Sequence, residues 1–149
     1  MPNVDMPDSY VSEYRKINHA VMRTWALSDR SSSVLYPPVM CDGKWNIADA
    51  TDQEHRCSFA LSPMRGCFAV VIGHSLNVAE SYRGQGWGQF VVELQIAAMA
   101  KAGYSLLMMT VRADNDRMLR LSKKLGFIDC FTFANHSNKS NILCLSRVL

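Results

Sequence analysis

A short glycine-rich run constrains this chain more than any other feature. Residues 83–88 read Arg-Gly-Gln-Gly-Trp-Gly and lie between a strand-like stretch, Leu76–Ala79, and a helix-like stretch, Gln89–Lys101. Three glycines in five positions let another molecule approach the backbone closely. The run leads into a helix N-terminus, where N–H groups and the helix dipole favour a bound anion. With Arg83 at its entrance, it predicts a site for a phosphate or pyrophosphate, and hence for a phosphorylated cofactor.

The glycine spacing differs from that of the common nucleotide-binding motifs. A dinucleotide fold shows Gly-x-Gly-x-x-Gly and an acidic residue about 20 positions further on. Here the third glycine comes one position early, and the corresponding later position is Gly103. The Lys-Ser/Thr pair that ends a P-loop is also absent. A strand-to-helix turn that binds nothing stays open as the alternative.

Two sequence blocks resemble the GNAT superfamily of acetyl-CoA-dependent N-acyltransferases. The first, Arg83-x-x-Gly86-x-Gly88, is similar to the family pattern Gln/Arg-x-x-Gly-x-Gly/Ala. The second is Asn115-x-x-Met118-x-x-Leu121-Ser122-x-Lys124-x-Gly126-Phe127. The resemblance covers roughly residues 57–149. It implies an α/β (α+β) fold of three layers, α/β/α, in which a mixed, mostly antiparallel sheet is splayed at the cofactor site.

Length, charge and cysteine content set the broad class. The 149 residues suit a single domain spanning 1–149. A net charge of +3 gives no support to a nucleic-acid partner. Five cysteines without a regular framework predict reduced thiols in a cytoplasmic compartment. We find no signal-peptide pattern and no apolar run of about 18 residues, so no membrane partner is expected. His55-x-Cys57 lacks a second pair with metal-ligand spacing, so no metal site is predicted.

Hydrophobic periodicity predicts the elements around these motifs. In chain order they are a helix over Ser9–Leu27, strands over Trp45–Thr51, His55–Leu61 and Cys67–Ala79, a helix over Gln89–Lys101, a strand over Tyr104–Val111, a helix capped by Asp114 or Asn115, and a hairpin of Ile128–Ala134 and Asn141–Val148. Turns are expected at 28–33, 62–66 and 136–140. The pattern shows no strand in the first 40 residues.

The resemblance implies acetyl-CoA as the cofactor and assigns its contacts. The pantetheine arm would enter between two parting strands and bond to the backbone of Leu76, Asn77 and Val78. The pyrophosphate would lie on the loop amides, which belong to Gly84, Gln85, Gly86, Trp87 and Gly88, with Arg83 beside them. Asn115 matches a family position near the cofactor and is equally well a plain helix N-cap.

Ser122 stands where the family usually has the tyrosine that protonates the departing thiolate. Its hydroxyl is shorter and less acidic than a phenol, yet Ser122 stays a candidate catalytic residue and cofactor contact. A water relay, departure of an unprotonated thiolate (thiol pKa near ~8.5) and loss of activity are the three options. A buried hydroxyl bonded to the carbonyl four residues earlier is the structural alternative.

His74 is the best-placed candidate for the base that takes the amine proton. Period-two alternation puts its side chain on the same strand face as Leu76 and Val78. Imidazole titrates in the useful range, and some family members carry a strand histidine at a similar distance before the loop. A histidine that only satisfies a local hydrogen bond is the alternative. Glu80 is the second candidate, acting through water, although such a carboxylate is more often solvated.

The sequence therefore predicts an N-acetyltransferase that moves an acetyl group from acetyl-CoA to a primary amine, on a small molecule or a protein. Direct transfer in a ternary complex is expected, because no cysteine motif argues for an acyl-enzyme. A catalytically weakened GNAT-fold binding protein and an acyltransferase acting on a macromolecule are the alternatives. By resemblance, Tyr14, Trp25 or Tyr36 would shape the acceptor pocket. A homodimer is compatible with the sequence.

Overall fold

The structure is a computed structural model that describes residues 8–28, 39–41, 43–49, 51–134 and 141–149. The elements are α1 (Asp8–Ala26), β1 (Val39–Cys41), β2 (Lys44–Ala48), β3 (His55–Met64), β4 (Cys67–Val78), a short 3-10 helix (Glu80–Tyr82), α2 (Trp87–Lys101), β5 (Leu106–Arg112), α3 (Asp116–Lys124), β6 (Ile128–Ala134) and β7 (Asn141–Val148). The expected turn at 136–140, most of the turn at 28–33 and the candidate pocket residue Tyr36 lie outside the described residues.

The described strands form one open sheet in the order β1-β2-β3-β4-β5-β7-β6. Strands β4 and β5 are parallel, and every other neighbouring pair is antiparallel. The prediction of a mixed, mostly antiparallel sheet in a GNAT-like α/β fold is confirmed. The single parallel pair is joined by α2, as a parallel connection requires a crossover.

Most predicted elements are present, and two differ. Strand β1 was not predicted, because three residues are too short to show a period. Strand β3 runs on to Met64 through Pro63, so the predicted turn at 62–66 shortens to Arg65 and Gly66. Since β2 pairs with β3 only as far as Phe59, this part of β3 has a strand neighbour on one side, and proline is tolerated at such an edge.

Helices α1 and α2 pack against each other and cover β3 and β4. Ile17 and Val21 of α1 and Val91 of α2 are fully buried in the shared core. Burial of such aliphatic side chains is the main stabilising contribution, at about 1.5–3 kcal/mol each. The hydroxyl of Tyr104, which precedes β5, donates to Glu13 of α1 and ties that helix to the sheet. No helix in the described ranges is both long and apolar enough to cross a membrane.

Strand β4 does not keep a regular alternation of faces. Gly73 faces α2, because a Cβ at this position would collide with the side-chain amide of Gln95. Val78 also faces α2, since its Cγ2 lies 3.8 Å from where a Cβ on Gly88 would be. Two residues five positions apart point to opposite faces in a regular strand. The strand therefore changes phase between these two residues.

A β-bulge at Ser75 accounts for this change. The pairing with β3 moves from Ser58–Asn77 to Ala60–His74, so three steps along β4 oppose two along β3. Ser75 itself has a φ of 56°. His74 therefore points away from α2. The predicted shared face for His74, Leu76 and Val78 is wrong, because the bulge interrupts the period of two on which it depended.

We call the sheet face opposite α2 the open face. Gly73 pairs with Met109 on the α2 side, so His74 and Thr110 follow on the open face. Paired residues share a face, which carries the assignment across β7 to β6. Around the gap, the open face includes His74, Thr110, Arg112, Cys144, Ile142, Phe131 and Phe133.

Candidate functional site

The two parallel strands part next to the glycine-rich loop. Their pairing runs from Val70–Leu106 to Gly73–Met109 and then stops. Beyond that point, β4 stays paired with β3, and β5 stays paired with β7. The facing backbone edges of residues 74–78 and 110–112 thus have no strand partner across the gap. Backbone N–H and C=O groups require hydrogen bonds, so such a gap suits a ligand that provides them.

The loop between β4 and α2 presents backbone rather than side chains. Gly84 and Gly86 have φ values of 81° and 86°, in the left-handed region that favours glycine. Gly86 is the N-cap of α2, and no side chain caps this helix. Its first intrahelical bond runs from the N–H of Phe90 to the carbonyl of Gly86, so the amides of Gly88 and Gln89 precede the helical ladder. The helix dipole adds positive potential there.

A cavity of about 770 Å³ joins the loop to the gap. Its lining residues come from the end of β4, the loop, the start of α2, the end of β5 and α3. They are Leu76, Asn77, Val78, Tyr82, Arg83, Gly84, Gly86, Trp87, Gly88, Gln89, Arg112, Asp114, Asn115, Arg117, Met118 and Leu121. The structure therefore brings together most of the predicted cofactor residues. We refer to this cavity as the coenzyme cleft.

The lining of the coenzyme cleft combines charged and apolar side chains. Arg83, Arg112 and Arg117 outnumber the single carboxylate of Asp114 in its lining. Leu76, Val78, Met118 and Leu121 provide its apolar wall. This arrangement suits a ligand with an anionic end and a thin, partly aliphatic arm. The residues thus fit the phosphates and the pantetheine of a coenzyme A thioester.

The three arginines are held differently. The Nε of Arg83 donates to the carbonyl of Val78 at 3.0 Å, which fixes the side chain across the loop entrance. Arg112 forms an ion pair with Asp114 at 2.8 Å, with both side chains more than half exposed. Arg117 points at the loop, since its Nη1 is 4.0 Å from where a Cβ on Gly84 would lie. Arg112 and Arg117 were missed by sequence reasoning, because neither belongs to a glycine motif.

A buried arginine packs against two aromatic side chains next to the loop. The guanidinium of Arg56 lies 3.6 Å from the ring centroid of Tyr82 and 6.0 Å from that of Trp87. It forms ion pairs with Asp52 at 2.7 Å and Asp49 at 3.7 Å. The hydrogen bond to Asp52 raises the pKa of Arg56 despite its burial, so this cation stays charged. The turn before β3 is thereby tied to the cleft wall at Tyr82.

Asn115 is the N-cap of α3, as one of its two interpretations predicted, and it also lies beside the coenzyme cleft. Its side-chain oxygen accepts from the N–H of Met118 at 3.2 Å, which makes Asn115 the N-cap of α3. Asn115 also lines the coenzyme cleft. The cap holds the start of α3 against the gap, opposite the start of α2.

Ser122 is placed in the core rather than in the coenzyme cleft. Its side chain is fully buried, and its hydroxyl has no hydrogen-bond partner in the described part of the chain. The expected bond back to the carbonyl of Met118 is therefore not formed. Ser122 is not among the cleft-lining residues, whereas its neighbour Leu121 is. The hydroxyl would have to be uncovered before it could reach a bound thioester.

His74 sits on the open face where the strands begin to part. Its Nε2 is 2.9 Å from the Oγ of Ser62, and its Nδ1 is 3.2 Å from the Oγ of Ser75. Partial burial, with a smaller contribution from the positive charge of Lys44, lowers the pKa of His74. The imidazole is therefore neutral at neutral pH and has a lone pair on one nitrogen. Thr110 faces it across the gap.

The other predicted site residues are not among those that line the coenzyme cleft. Glu80, in the short 3-10 helix, is exposed and is not among the cleft-lining residues. Gln85 is exposed in the loop. Tyr14 contacts Tyr10 within α1, and Trp25 packs against the core beside α2. Neither α1 residue lines the coenzyme cleft.

The chain is similar to known acetyltransferases in sequence pattern and in fold. The model of the acetyltransferase (GNAT) family matches residues 50–127, slightly more than half of the chain. No curated protein matches the sequence at a significant level.

Solved structures with the same fold include three acetyltransferases. Ard1 from Thermoplasma volcanium is 20% identical with a TM-score of 0.62, and the match covers 70% of each chain. A GNAT family acetyltransferase from Elizabethkingia anophelis with acetyl-CoA bound is 18% identical with a TM-score of 0.61, over 72% of this chain and 77% of the other. The spermidine/spermine N-acetyltransferase SpeG from Vibrio cholerae is 10% identical with a TM-score of 0.59, over 70% of this chain and 65% of its own.

Proposed function

Because the chain belongs to the GNAT acetyltransferase family and is an acyltransferase by class, we propose that it transfers an acetyl group from acetyl-CoA to a primary amine. Transfer is direct, in a complex that contains both substrates. The observation that carries this proposal is the parting of β4 and β5 after Gly73–Met109, beside an uncapped, glycine-lined helix start. The coenzyme cleft has the anionic preference and the apolar wall that this donor needs.

Each part of the coenzyme has a group of residues that suits it. The loop amides from Gly84 to Gly88 hold the pyrophosphate, with Arg83 and Arg117 as positive neighbours. The strand backbone at Leu76, Asn77 and Val78 takes the place of a β5 partner and bonds to the pantetheine amides. Asn115 keeps α3 at the far wall. Gln85 and Trp87 contribute main-chain geometry to the loop.

Bound acetyl-CoA supplies an activated acyl carbon and a thiolate leaving group. His74 acts as the base: it takes the proton that the amine loses as its nitrogen forms the new amide bond to the acyl carbon. A protonated primary amine has a pKa near ~10.4, so this help is needed at neutral pH. The lowered pKa of His74 keeps it in the accepting form. Ser62 orients the ring.

The leaving sulfur needs no protein acid in this scheme. A thiolate is a fair leaving group, since the pKa of a free thiol is near ~8.5. The complete burial of Ser122 favours this option over direct protonation by its hydroxyl. Glu80 is exposed beside the loop and serves at most through a water molecule. The acceptor is a small-molecule or protein amine.

Calorimetric titration with acetyl-CoA, followed by a thiol-release assay with a panel of amines, tests the proposal. We expect saturable binding and release of one thiol for each amine acetylated. Absence of heat and of a thermal shift at millimolar acetyl-CoA would remove the assignment.

A second candidate function follows from the position of Ser122. A GNAT-fold protein that keeps the coenzyme as a ligand, without turnover, would have no use for a hydroxyl at the thioester. Binding of acetyl-CoA together with no thiol release from any amine would favour this alternative.

A further inference from the structure

We propose that the open face beside the gap binds the acceptor through an apolar platform formed by Phe131 and Phe133, and that the acceptor is a primary amine with an apolar, aromatic or aliphatic body. This inference rests on the proposed function, because it names the substrate class of the same site. The platform lies on the open face and is not part of the lining of the coenzyme cleft.

Strand register places the platform level with the parting of the strands. Thr110, the first β5 residue beyond the last β4–β5 pair, pairs with Cys144 of β7, and Cys144 pairs with Phe131. Further along, Ile142 pairs with Phe133. Neighbouring strands are about 4.8 Å apart, so the backbone of Phe131 lies roughly 10 Å from that of Thr110. His74 lies one strand farther across the gap, so its backbone is at least about 14 Å from that of Phe131. The side chains of His74 and Phe131 shorten this span, and an amine with one ring and a short linker would bridge the remainder.

The two rings of the platform are exposed, whereas two β7 residues on the same face are buried. Phe131 and Phe133 are 56% and 45% exposed, and their ring centroids are 6.1 Å apart with the planes tilted by 35°. Cys144 and Ser146 of β7, on the same face, are both buried. Adjacent exposed aromatic rings mark a contact surface more often than scattered apolar residues do. The two rings thus present apolar area beside the gap without an intramolecular partner to cover it among the described residues.

The charges of the open face exclude a polycationic acceptor. Among its strand residues in the described ranges there is no Asp or Glu to receive additional ammonium groups. Lys44 exerts a positive field on His74, and the charge of Arg112 is balanced by its ion pair with Asp114. An acceptor with several ammonium groups would be repelled here. An amine with a neutral, apolar body would instead be stabilised by the apolar surface that it buries.

The platform continues the reaction site, which favours the acceptor over a second copy of the chain. Its rings stand on the same face as His74 and are level with the gap, rather than on the sheet end that carries the turn between β3 and β4. Ile128 provides the contrast. It is 66% exposed on the same strand and the same face, but it pairs with Ser146, away from the gap.

Acetylation rates with matched amines and variants test the proposal. Thiol release is measured with 2-phenylethylamine, hexylamine and spermidine as acceptors. We expect a kcat/KM at least tenfold higher for 2-phenylethylamine than for spermidine. Phe131→Ala and Phe133→Ala should each lower the value for 2-phenylethylamine about tenfold, with Kd for acetyl-CoA unchanged. Ile128→Ala should stay within about twofold of the parent. If an alanine variant unfolds, Phe131→Leu and Phe133→Leu test the same surface.

The alternative outcomes are distinct. A preference for spermidine, or phenylalanine variants that acetylate 2-phenylethylamine like the parent, would overturn this inference and leave the proposed function intact. A change from dimer to monomer in the Phe131 variant, measured by light scattering, with unchanged amine preference would assign the platform to a second copy and also overturn it. Failure to bind acetyl-CoA, or no thiol release with any amine, would remove the proposed function and this inference together.

Discussion

The two sides of the gap between β4 and β5 are built in different ways. The coenzyme side is largely local: a strand end, the loop with the preceding 3-10 helix, and a helix start supply ten of its sixteen lining residues. The open face is assembled from β4, β5, β7 and β6, and its composition depends on strand register and on one bulge. The proposed phosphate site is therefore specified mainly by consecutive residues, whereas the proposed acceptor site depends on the whole sheet.

The largest effect is expected from Gly86→Asp, which changes the glycine-rich loop of the coenzyme cleft. Its left-handed φ of 86° disfavours any side chain by about 1–2 kcal/mol, and a carboxylate beside the loop amides repels phosphate. We expect affinity for acetyl-CoA to fall by more than about 100-fold. Titration calorimetry measures it.

Gly66→Asp is the matched control for this change. Gly66 has a similar φ of 82°, with open space around the added Cβ, in the turn at the other end of β4. The backbone strain is therefore comparable, while the coenzyme cleft is untouched. Equal affinity loss in both variants would mean that Gly86 acts through stability and not through phosphate contact.

His74→Gln tests the side that depends on register. Loss of the base is expected to lower kcat by about 10²–10⁴ and to leave Kd for acetyl-CoA unchanged. Because burial lowers the pKa of His74, the acid limb of the kcat profile should lie below pH 6.5 in the parent and vanish in the variant. His55→Gln, at an exposed position in β3, serves as the control. A variant with normal kcat would exclude His74 as the base.

The lowered pKa of His74 also makes the stability of the folded protein depend on pH. The folded protein holds fewer protons than the unfolded chain at pH values between the lowered and the ordinary pKa of His74. The free energy of unfolding therefore decreases as the pH falls through about 6.5. His74→Gln should reduce this dependence in denaturant titrations at pH 7 and pH 5.

Arg117→Gln is expected to have a smaller effect on the affinity of the coenzyme cleft for acetyl-CoA. Removal of one cation from the lining should weaken acetyl-CoA binding about 3- to 10-fold, which corresponds to about 0.7–1.4 kcal/mol. The salt dependence of Kd should decrease as well. Arg120→Gln, exposed on the same helix and outside the cleft lining, is the control. Identical Kd values for both variants and the parent would place Arg117 outside the phosphate site.

Ser122→Ala is expected to change kcat least, by less than about twofold. The hydroxyl is buried and has no partner among the described residues, so its removal should leave the free energy of unfolding unchanged or raise it by up to about 1 kcal/mol. Steady-state kinetics and thermal unfolding measure the two effects. A tenfold loss of kcat with unchanged unfolding would show that Ser122 acts on the reaction after all.

Sequence reasoning predicted the features that depend on neighbouring residues. The glycine loop, the cap at Asn115, and the hairpin strands Ile128–Ala134 and Asn141–Val148 are where local patterns placed them. The same reasoning missed Arg112 and Arg117, which enter the coenzyme cleft through packing of separate elements. It also put His74 on the wrong face, since nothing in the sequence marks a left-handed Ser75.

A crystal structure with acetyl-CoA bound tests the central claim most directly. The account predicts the pyrophosphate within hydrogen-bond distance of the amides of residues 84–88, the pantetheine between β4 and β5, and the acetyl group emerging beside His74 on the open face. Coenzyme bound elsewhere, or an acetyl group directed away from His74, would contradict it.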